Sequence, residues 1–438
     1  MFRSIDEAID FVYSSYVRGL HEKGGSDLVR HPEFILDLIK ILKLRIPENV
    51  VVVSGSKGKG TTAVLTASAL SSQGIKVGIF TGPPLLDYAE RIRVEGKAIT
   101  HNRLLSILNS IVPDIEKLDR LLPKGAWLWH VGIFLLTALR YFNEEGVETV
   151  VLEGGRGALF DEVSAIQHTV SILSPIYFEH YEQLGPTIED IAKNKAGIVH
   201  GSGVLVSAPQ RPEVSKILRD RCELYGSKLL TYGEDFTTTV NSDGTFSLKT
   251  PLALYETLKM PFLGSYQYIN AASALVAAEE LLSRKIESPT VWDKIKWPGR
   301  MQMIESGGIR FLIDGTITKD SAVAVFELIK NLNIESVTTV VAVPKDKDYR
   351  SVIDEATKFS NNIIITEANN QHLIFPDDAF EYAKDKLQGR LVEFYGSLNT
   401  AIPRATELCE GGLVAILGTQ SLVGDALKYF NISTNDIY

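Results

Sequence analysis

The segment around residue 55 constrains the fold more than any other part of the sequence. Val50–Val53 is a β-branched run of the kind that forms a buried parallel strand. It is followed by the glycine-rich Ser54–Thr62 (SGSKGKGTT) and then by a helix-forming run that Gly74 ends. Glycines let the backbone turn tightly and direct successive N–H groups at phosphate oxygens, and the helix N-terminus adds its positive dipole end. Strand, loop and helix in this order predict a phosphate-binding loop.

The polar side chains of this loop predict ATP and magnesium as its ligands. Lys59 can place a positive charge on the β- and γ-phosphates, and a hydroxyl of Thr61 or Thr62 can bind Mg²⁺. The spacing departs from the common G-x-x-x-x-G-K-[ST] pattern because Gly60 separates Lys59 from Thr61. A glycine- and lysine-rich surface turn is the alternative interpretation. The predicted nucleotide contacts of the loop are Gly55, Ser56, Lys57, Gly58, Lys59, Gly60, Thr61 and Thr62.

Alternating strand and helix patterns on both sides of the loop predict an α/β fold with a mostly parallel sheet. Before residue 300 we expect helices over 5–20, 33–44 and 270–282, and strands over 76–80, 148–152, 169–173 and 203–207. Beyond it, strands are expected over 310–313, 336–343, 362–366, 390–395 and 413–417, with helices at about 320–332, 350–359, 377–387 and 398–409. The sequence thus predicts a P-loop mononucleotide-binding domain over 1–297, a smaller Rossmann-like α/β domain over 298–438, and a site between them.

The composition excludes several classes of partner and compartment. The 438 residues carry a formal net charge of −9, which gives no help in holding a polyanion, so nucleic acid is not expected as a partner. No apolar run approaches the roughly 20 residues that span a bilayer, and the N-terminus carries charges unlike those of a signal peptide. Two cysteines cannot form a disulfide framework. We therefore expect a cytoplasmic protein without a membrane partner, as a monomer or small homo-oligomer.

The loop is one of several motifs that occur in a fixed order along the chain. Gly55–Thr61 is similar to G-T-N-G-K-G-S, and Leu184–Ile198 is similar to L-G-x-T-x-x-x-I-A-x-x-K-A-G-I. Both patterns are those of folylpolyglutamate and dihydrofolate synthases, members of the Mur ligase superfamily. Further segments resembling this family are 74–81, 90–96, Gln267 with Asn270, 298–300, 314–315, 346–348 and 418–424. Because they span residues 5–425, the chain is identified as a divergent member.

The resemblance implies ATP-dependent formation of an amide bond. In this family ATP phosphorylates a carboxylate to an acyl phosphate, and the amine of an amino acid, usually glutamate, displaces the phosphate. The partners would be a small carboxylate acceptor, of folate or pterin type, and an amino acid. Catalysis of this kind depends on positioning and on screening of negative charge, so lysines and metal ions should dominate the site.

The family pattern also assigns roles to individual residues of this sequence. Thr61 and Glu153 would hold one Mg²⁺ and His180 a second, while Lys195 aligns with a lysine that is often carbamylated. Nucleotide contacts outside the loop would be Gln267, Asn270, Arg300 and Asp314, and the expected catalytic residues are Lys59, His180 and Lys195. The sequence alone leaves open a structural role for three of them, as a partly buried histidine at 180, a surface lysine at 195 and a salt bridge at 300.

The sequence departs from the family pattern around the substrates. The family's T-S-P-H-L corresponds to Thr81–Leu85 (TGPPL), and a glutamate typical of the following helix corresponds to Phe134. The family's D-G-A-H-N corresponds to Asp314–Thr318 (DGTIT), which lacks both the histidine and the asparagine. A site built to pair a polar substrate rejects one without matching groups. These departures predict an altered acceptor or amino acid.

Three functions from different classes remain open at this point. The first is the ligase, acting on a folate-type acceptor or, as a Mur-type ligase, on another acid. The second is a catalytically silent relative that binds nucleotide and acts as a regulatory or scaffolding partner. The third is a P-loop hydrolase or kinase that stops at phosphoryl transfer, which a second α/β domain across the cleft disfavours. Amino-acid-dependent release of phosphate would distinguish the ligase from both alternatives.

Overall fold

The computed structural model describes residues 1–17, 31–123, 126–287 and 292–438. The helices are α1 (Ile5–Val17), α2 (Phe34–Ile41), α3 (Lys59–Ser71), α4 (His101–Leu121), α5 (His130–Glu144), α6 (Tyr181–Leu184), α7 (Ile188–Ala196), α8 (Pro212–Tyr225), α9 (Tyr266–Leu282), α10 (Lys319–Asn331), α11 (Tyr349–Phe359), α12 (Ala379–Lys386), α13 (Leu398–Leu408) and α14 (Gln420–Tyr429). The end of the first predicted helix, 18–20, lies outside the described residues.

The strands form three sheets. They are β1 (Asn49–Ser54), β2 (Val77–Phe80), β3 (Ile92–Val94), β4 (Lys97–Ala98), β5 (Thr149–Glu153), β6 (Val170–Leu173), β7 (Val204–Ser207), β8 (Lys228–Thr231), β9 (Thr237–Val240), β10 (Phe246–Lys249), β11 (Leu254–Leu258), β12 (Gln302–Ser306), β13 (Ile309–Asp314), β14 (Val337–Ala342), β15 (Asn362–Thr366), β16 (Leu391–Tyr395) and β17 (Leu413–Gly418). All strands predicted from the sequence are present within a residue or two of the expected bounds.

The largest sheet has eight strands in the order β4-β3-β2-β5-β1-β6-β7-β8. β1 lies inside it and pairs in parallel with β5 and β6, so the segments that follow these three strands meet at one edge of the sheet. Only β3 and β4 run antiparallel, beside β2 at the sheet edge. The predicted α/β fold with a mostly parallel sheet is confirmed.

The valines of β1 show why this strand lies at the centre. Val50 and Val52 face one apolar core, and Val51 and Val53 face the other. All four side chains are at most 2% exposed, and burial of each contributes about 1.5–3 kcal/mol. The second core lies under α3 and α9, which pack against each other across the sheet face. Two buried faces are what a continuous β-branched run predicts.

Some details of the fold were not predicted. β5 lies between β1 and β2 in the sheet, although α3 connects these two strands in the chain. The helix expected from residue 270 begins at Tyr266, directly after the turn at Gly264 (φ +99°). No sequence pattern predicted β3, β4, β8 to β12 or α14, most of which are short or carry exposed polar residues.

The third sheet has six strands in the order β12-β13-β17-β14-β15-β16. All neighbours in it are parallel except β12, which forms an antiparallel hairpin with β13. A small antiparallel sheet, β11-β10-β9, precedes it in the chain. The third sheet uses strands from Gln302 onward. The division into domains over 1–297 and 298–438 stays a prediction.

The segment 434–437 returns from the six-stranded sheet and lies against the hairpin of β3 and β4. The Arg93 guanidinium donates to the carbonyls of Thr434 and Asn435 at 2.6 and 3.0 Å, and to that of Gly96 at 3.3 Å. The carbonyl of Ile437, whose side chain is fully buried, accepts from the backbone N–H of Lys296 at 2.7 Å. We call residues 434–437 the return segment. It joins both sheets next to the linker between them.

Across the described ranges, no helix combines the length with the apolar composition needed to cross a lipid bilayer.

Candidate active site

The glycine-rich loop lies between β1 and α3, as predicted. Gly55 (φ +127°) and Gly58 (φ +85°) both take backbone conformations that favour glycine. A Cβ at Gly55 would lie 2.1 Å from the hydroxyl of Ser174, and one at Gly58 would lie 2.6 Å from Oδ1 of Asn270. Both conformation and space therefore require glycine. Lys59 begins α3, so the loop leads directly into the positive end of the helix dipole.

The polar residues of the loop are held from several sides. The Ser56 hydroxyl accepts from the backbone N–H of Tyr177 at 3.0 Å. Lys57 lies in a weakly solvated position, and this burial lowers the pKa of its ammonium group. Thr61 and Thr62 are 3% and 1% exposed in the first turn of α3. The buried hydroxyl of Thr62 has no hydrogen-bond partner within the described part of the chain. A buried hydroxyl of this kind can bind a cation through its oxygen or donate a hydrogen bond to a phosphate.

Glu153 is placed against the first turn of α3. It ends β5, next to β1, and its Oε2 accepts from the backbone N–H of Gly82 at 3.0 Å. A Cβ at Gly60 would lie 3.1 Å from the same oxygen, so Gly60 permits this close approach. Burial raises the pKa of Glu153, and the charge of Lys59 is the largest effect in the opposite direction. A buried carboxylate facing a phosphate-binding loop is a suitable ligand for Mg²⁺.

Lys195 is fully buried beneath the loop and is not the surface lysine left open by the sequence. Its Nζ donates to the carbonyls of Gly55 and Arg156, both at 2.9 Å, and lies 3.1 Å from Oε1 of Glu179. The three donors of the ammonium group therefore have three acceptors. Burial lowers the pKa of Lys195 to about 8, and the charge of Lys59 acts in the same direction.

His180 lies beside this lysine. Its backbone is left-handed (φ 51°) and precedes the short helix α6. Burial lowers the pKa of His180 to about 4, the charge of Glu179 opposes this, and the charges of Lys195 and Lys347 add to it. The imidazole is therefore neutral at pH 7, the state in which it can bind a metal ion. Within the described ranges no three His, Cys, Asp or Glu side chains form a metal-binding group, so a magnesium ion here would need phosphate and water ligands.

Gln267 and Asn270 come to the loop from the first turn of α9. The Asn270 amide donates to Oε1 of Gln267 at 2.9 Å, and its Oδ1 faces Gly58. Nε2 of Gln267 is buried without a partner in the described structure. An amide donor in this state costs free energy unless a ligand accepts from it. Both residues are therefore brought to the predicted nucleotide site.

Arg300 and Asp314 approach the loop from the six-stranded sheet. Asp314 ends β13 and accepts from the backbone N–H of Met301 at 2.9 Å and from the Thr316 hydroxyl at 2.7 Å. Burial raises the pKa of Asp314, while the charges of Arg300 and Lys57 oppose this. Arg300 donates to the neighbouring carbonyl of Gly299 at 3.3 Å and forms no salt bridge with any described carboxylate. The structure therefore brings every predicted site residue to the region of the loop.

Two neighbours of the site were missed in the sequence. Glu179 pairs with Lys195, and its position directly before His180 was the available signal. The ring of Trp297 lies 3.4 Å from a Cβ placed at Gly60, and its buried Nε1 has no partner among the described residues. In the sequence, the position of Trp297 just before Pro298 indicated only a domain boundary.

Comparisons with known proteins agree with this geometry. The Mur ligase middle domain matches residues 132–278. Dihydrofolate synthase/folylpolyglutamate synthase of Bacillus subtilis is 29% identical over 325 residues, which cover 69% of this chain and 72% of that protein. Folylpolyglutamate synthase of Lacticaseibacillus casei is 26% identical over 342 residues, covering 75% and 79%.

Solved structures show the same fold. Folylpolyglutamate synthase of Mycobacterium tuberculosis, complexed with ADP and AMPPCP, superposes with a TM-score of 0.83 over 96% of this chain and 99% of its own, at 21% identity. The Thermotoga maritima enzyme gives a TM-score of 0.82 at 23% identity, covering 96% and 97%. Motifs, fold and sequence relatives agree: this chain is similar to folylpolyglutamate and dihydrofolate synthases, and its residues 132–278 match the middle domain of the Mur ligases.

Proposed function

We propose that this protein is an ATP-dependent ligase that joins a carboxylic acid to an amino acid. Glutamate and a folate- or pterin-type acceptor are the expected substrates, as the names of its relatives indicate. The observation that carries the proposal is the convergence of Lys59, Glu153 and Lys195 on one glycine-rich loop. A buried carboxylate and two lysines around phosphate-binding amides are what phosphoryl transfer to a carboxylate requires.

The reaction would proceed in two displacements. An oxygen of the acceptor carboxylate attacks the γ-phosphorus of ATP, the bond from that phosphorus to the β–γ bridging oxygen breaks, and ADP leaves. The amine nitrogen of the amino acid then attacks the acyl carbon and loses a proton. The acyl C–O bond breaks and inorganic phosphate leaves. ATP, acid and amine thus give amide, ADP and phosphate.

The loop and its neighbours would hold the nucleotide through this sequence. The N–H groups of Ser56 and Thr62 donate to the carbonyls of Pro175 and Gly58 at 3.0 and 2.8 Å, so other N–H groups of the loop would bind the phosphates. Lys59 would balance charge on the transferred group. We assign Thr61 and Glu153 to one Mg²⁺, because the buried carboxylate approaches Gly60 in the first turn of α3 and Thr61 is the next residue of that turn. His180 would serve a second ion through its neutral imidazole. Bound Mg²⁺ would supply the positive charge that offsets the triphosphate.

Lys195 has two possible states with different consequences. As an ammonium it is satisfied by its three acceptors and fixes Gly55. With a pKa of about 8, roughly a tenth of it is neutral at pH 7, and a neutral amine can attack CO₂ and lose a proton to give a carbamate. We propose this modification as a testable state. Incubation with ¹³C-bicarbonate should give a carbamate signal that Lys195→Gln lacks, and its absence from wild type would leave the ammonium as the working form.

Phosphate release tests the proposed function. We expect Mg-ATP, glutamate and dihydropteroate or a folate to give phosphate only when all three are present. Lys59→Ala should lower turnover at least about 100-fold, whereas Lys117→Ala, which removes an exposed helix lysine, should leave it unchanged. ADP formation without an amino acid would identify a hydrolase or kinase. ATP binding without turnover on a broad panel of acids and amino acids would identify a silent relative.

A non-folate acceptor is the second candidate, and the segment Asp314–Thr318 favours it. Ile317 packs against the apolar core of the six-stranded sheet, and the Thr318 hydroxyl caps α10 by accepting from the backbone N–H of Ser321. These side chains serve the fold at positions where the family pattern has polar groups. Turnover with other acids but not with folates would support this candidate, and efficient addition of glutamate to a folate would exclude it.

We further propose that the reaction takes place in the cytoplasm, where ATP is supplied. Both cysteines are buried free thiols, which is compatible with a reducing compartment. Small-molecule substrates and a monomeric or small homo-oligomeric state complete the proposal.

A further inference from the structure

Arg91 is a buried cation that the proposed mechanism does not yet use. It ends a short 3₁₀ turn, Tyr88–Arg91, and is 5% exposed. Its guanidinium carbon lies 5.3 Å from the ring centre of Phe80 and 4.8 Å from that of Phe134. These rings provide cation–π attraction but accept no strong hydrogen bond. An apolar wall on this side leaves the N–H groups of the guanidinium in need of acceptors.

Few acceptors are present. The phenol of Tyr13 is the hydrogen-bonding neighbour of Arg91, and Nε of Arg91 is buried with no partner among the described residues. No described carboxylate lies within salt-bridge distance of it. Arg93, two residues later, also has a buried Nε without a partner among the described residues, but its two terminal nitrogens donate to three backbone carbonyls. A guanidinium has five donors, and leaving them unpaired in the interior is costly.

The two carboxylates whose charges act on Arg91 are already engaged elsewhere. Glu153 accepts from the backbone N–H of Gly82, and Asp161 accepts from two backbone N–H groups at 2.9 and 3.0 Å. Neither approaches Arg91 closely enough for an ion pair in the described structure. Arg91 therefore keeps a positive charge with open donor positions.

This guanidinium lies next to the place where phosphoryl transfer would occur. A Cβ at Gly82 would lie 2.9 Å from Cζ and from both terminal nitrogens of Arg91. The N–H of the same glycine donates to Glu153, whose carboxylate faces Gly60 in the phosphate loop. One residue thus separates Arg91 from the carboxylate assigned to the metal ion.

The sequence departures described above bear directly on this residue. The family pattern has a glutamate at the position of Phe134, the ring that now lies against the guanidinium. It has a serine at the position of Gly82, where a side chain would collide with Arg91. A negative charge at 134 would neutralise Arg91 internally, and this chain has an uncharged ring there. A ligand carboxylate would supply the negative charge that position 134 lacks in this chain.

We propose that Arg91 binds the ionised carboxylate of the acceptor and holds it beside Glu153 for phosphorylation. The inference rests on the proposed function, because it deepens the assignment of the same site. Planar guanidinium and carboxylate groups match in a bidentate arrangement. The phenol of Tyr13 is a neighbour of Arg91, and the ring centres of Tyr13 and Tyr88 are 5.3 Å apart, so aromatic side chains flank this guanidinium. Arg91 would then be a catalytic residue that positions the attacking oxygen.

Binding of benzoate tests the proposal without any turnover. Benzoate carries a carboxylate on a flat ring, and benzamide has the same shape without charge. With ADP saturating the nucleotide site, we expect benzoate to raise the melting temperature over a concentration series and benzamide to have little effect. Arg91→Met should weaken benzoate binding at least about tenfold. Arg93→Met is the matched control, since it removes a buried arginine of the same hairpin and should leave the affinity for benzoate unchanged.

Substitution of Phe134 provides a second test that keeps Arg91 in place. Phe134→Glu should form an internal ion pair with Arg91 and abolish the preference for benzoate over benzamide. Phe134→Gln, of similar size but uncharged, should keep this preference. The proposal is overturned if Phe134→Glu binds benzoate as wild type does, or if a folded Arg91→Met retains wild-type affinity.

Failure of the proposed function gives a different result. If no acid and amino acid support phosphate release, the ligase assignment fails, while the benzoate series still decides the role of Arg91. If the ligase is active and Arg91→Met raises the KM for the acceptor at least about tenfold without changing the Kd for ATP, the proposal is supported. An active ligase whose acceptor KM is unchanged in Arg91→Met overturns it.

Discussion

The substitution Gly58→Ala should separate nucleotide binding from stability. Gly58 has φ +85°, and a Cβ there would lie 2.6 Å from Oδ1 of Asn270. Gly74, at the other end of α3, has nearly the same conformation (φ +77°), but a Cβ there meets nothing within 4 Å. The pair therefore forms a matched comparison in which only Gly58 carries a steric contact.

The expected magnitudes follow from these two environments. A left-handed alanine costs roughly 1–2 kcal/mol, so both variants should lose about this much free energy of unfolding. At Gly58 the Asn270 side chain must also move, which disturbs its hydrogen bond to Gln267. Loss of one or two hydrogen bonds to the nucleotide corresponds to roughly 1.5–3 kcal/mol, or a tenfold to hundredfold higher Kd for ATP.

Urea unfolding and ATP titration measure the two effects separately. Gly74→Ala should lose stability and bind ATP as wild type does, whereas Gly58→Ala should lose both stability and affinity. The reasoning is refuted if Gly58→Ala, folded under the assay conditions, binds ATP with wild-type affinity. In that case the loop, with Asn270 against it, would not form the nucleotide site.

Three further substitutions test single buried groups. Burial raises the pKa of Glu153, so its ionisation destabilises the folded state as the pH rises from the ordinary glutamate pKa to the folded one. In urea unfolding at a series of pH values, Glu153→Gln should therefore be more stable than wild type above this window but not below it. In the phosphate-release assay its turnover should be at least about 100-fold lower. An equal gain at all pH values would contradict this. Lys195 has a folded pKa of about 8 against an ordinary 10.5, so the unfolded state binds more protons between these pH values. Over this range the free energy of unfolding of wild type should rise by up to about 3 kcal/mol relative to that of Lys195→Gln. Parallel pH profiles of the two proteins would refute this prediction. Arg93→Met leaves three carbonyls without this donor and should lower the free energy of unfolding, measured in a urea titration, by about 3 kcal/mol. A change in the Kd for ATP would argue against a purely structural role of Arg93.

Local patterns in the sequence predicted the elements that position the phosphate loop. A β-branched run, a glycine cluster and a helix-forming run are adjacent in the chain, so β1, the loop and α3 could be recognised without tertiary information. The same holds for the strands and helices from Ile309 to Leu417, where each apolar run is long and ends in clear turn residues. Short strands with exposed polar residues, such as β9 (Thr237–Val240), give no comparable signal.

Long-range contacts explain what the sequence could not predict. The bond from Lys195 to the carbonyl of Gly55 joins residues 140 positions apart, and no local pattern records it. The same applies to the insertion of β5 between β1 and β2, since strand order depends on how helices pack across the sheet. The open donors of Arg91 became visible only through the residues that surround it. The roles proposed for Glu153 and His180 came from family resemblance, and the structure supplied the environments of these side chains.

The return segment described above has a mechanical consequence. The chain passes between the two large sheets once at residues 296–300 and again at 434–437, and the hydrogen bond from Lys296 to Ile437 holds these two crossings side by side. Two adjacent connections limit sliding and separation of the two sheets more than a single connection would. Asp314 and Arg300 belong to the part of the chain on one side of these connections and the phosphate loop to the part on the other, so the same connections limit how far the two halves of the site can separate.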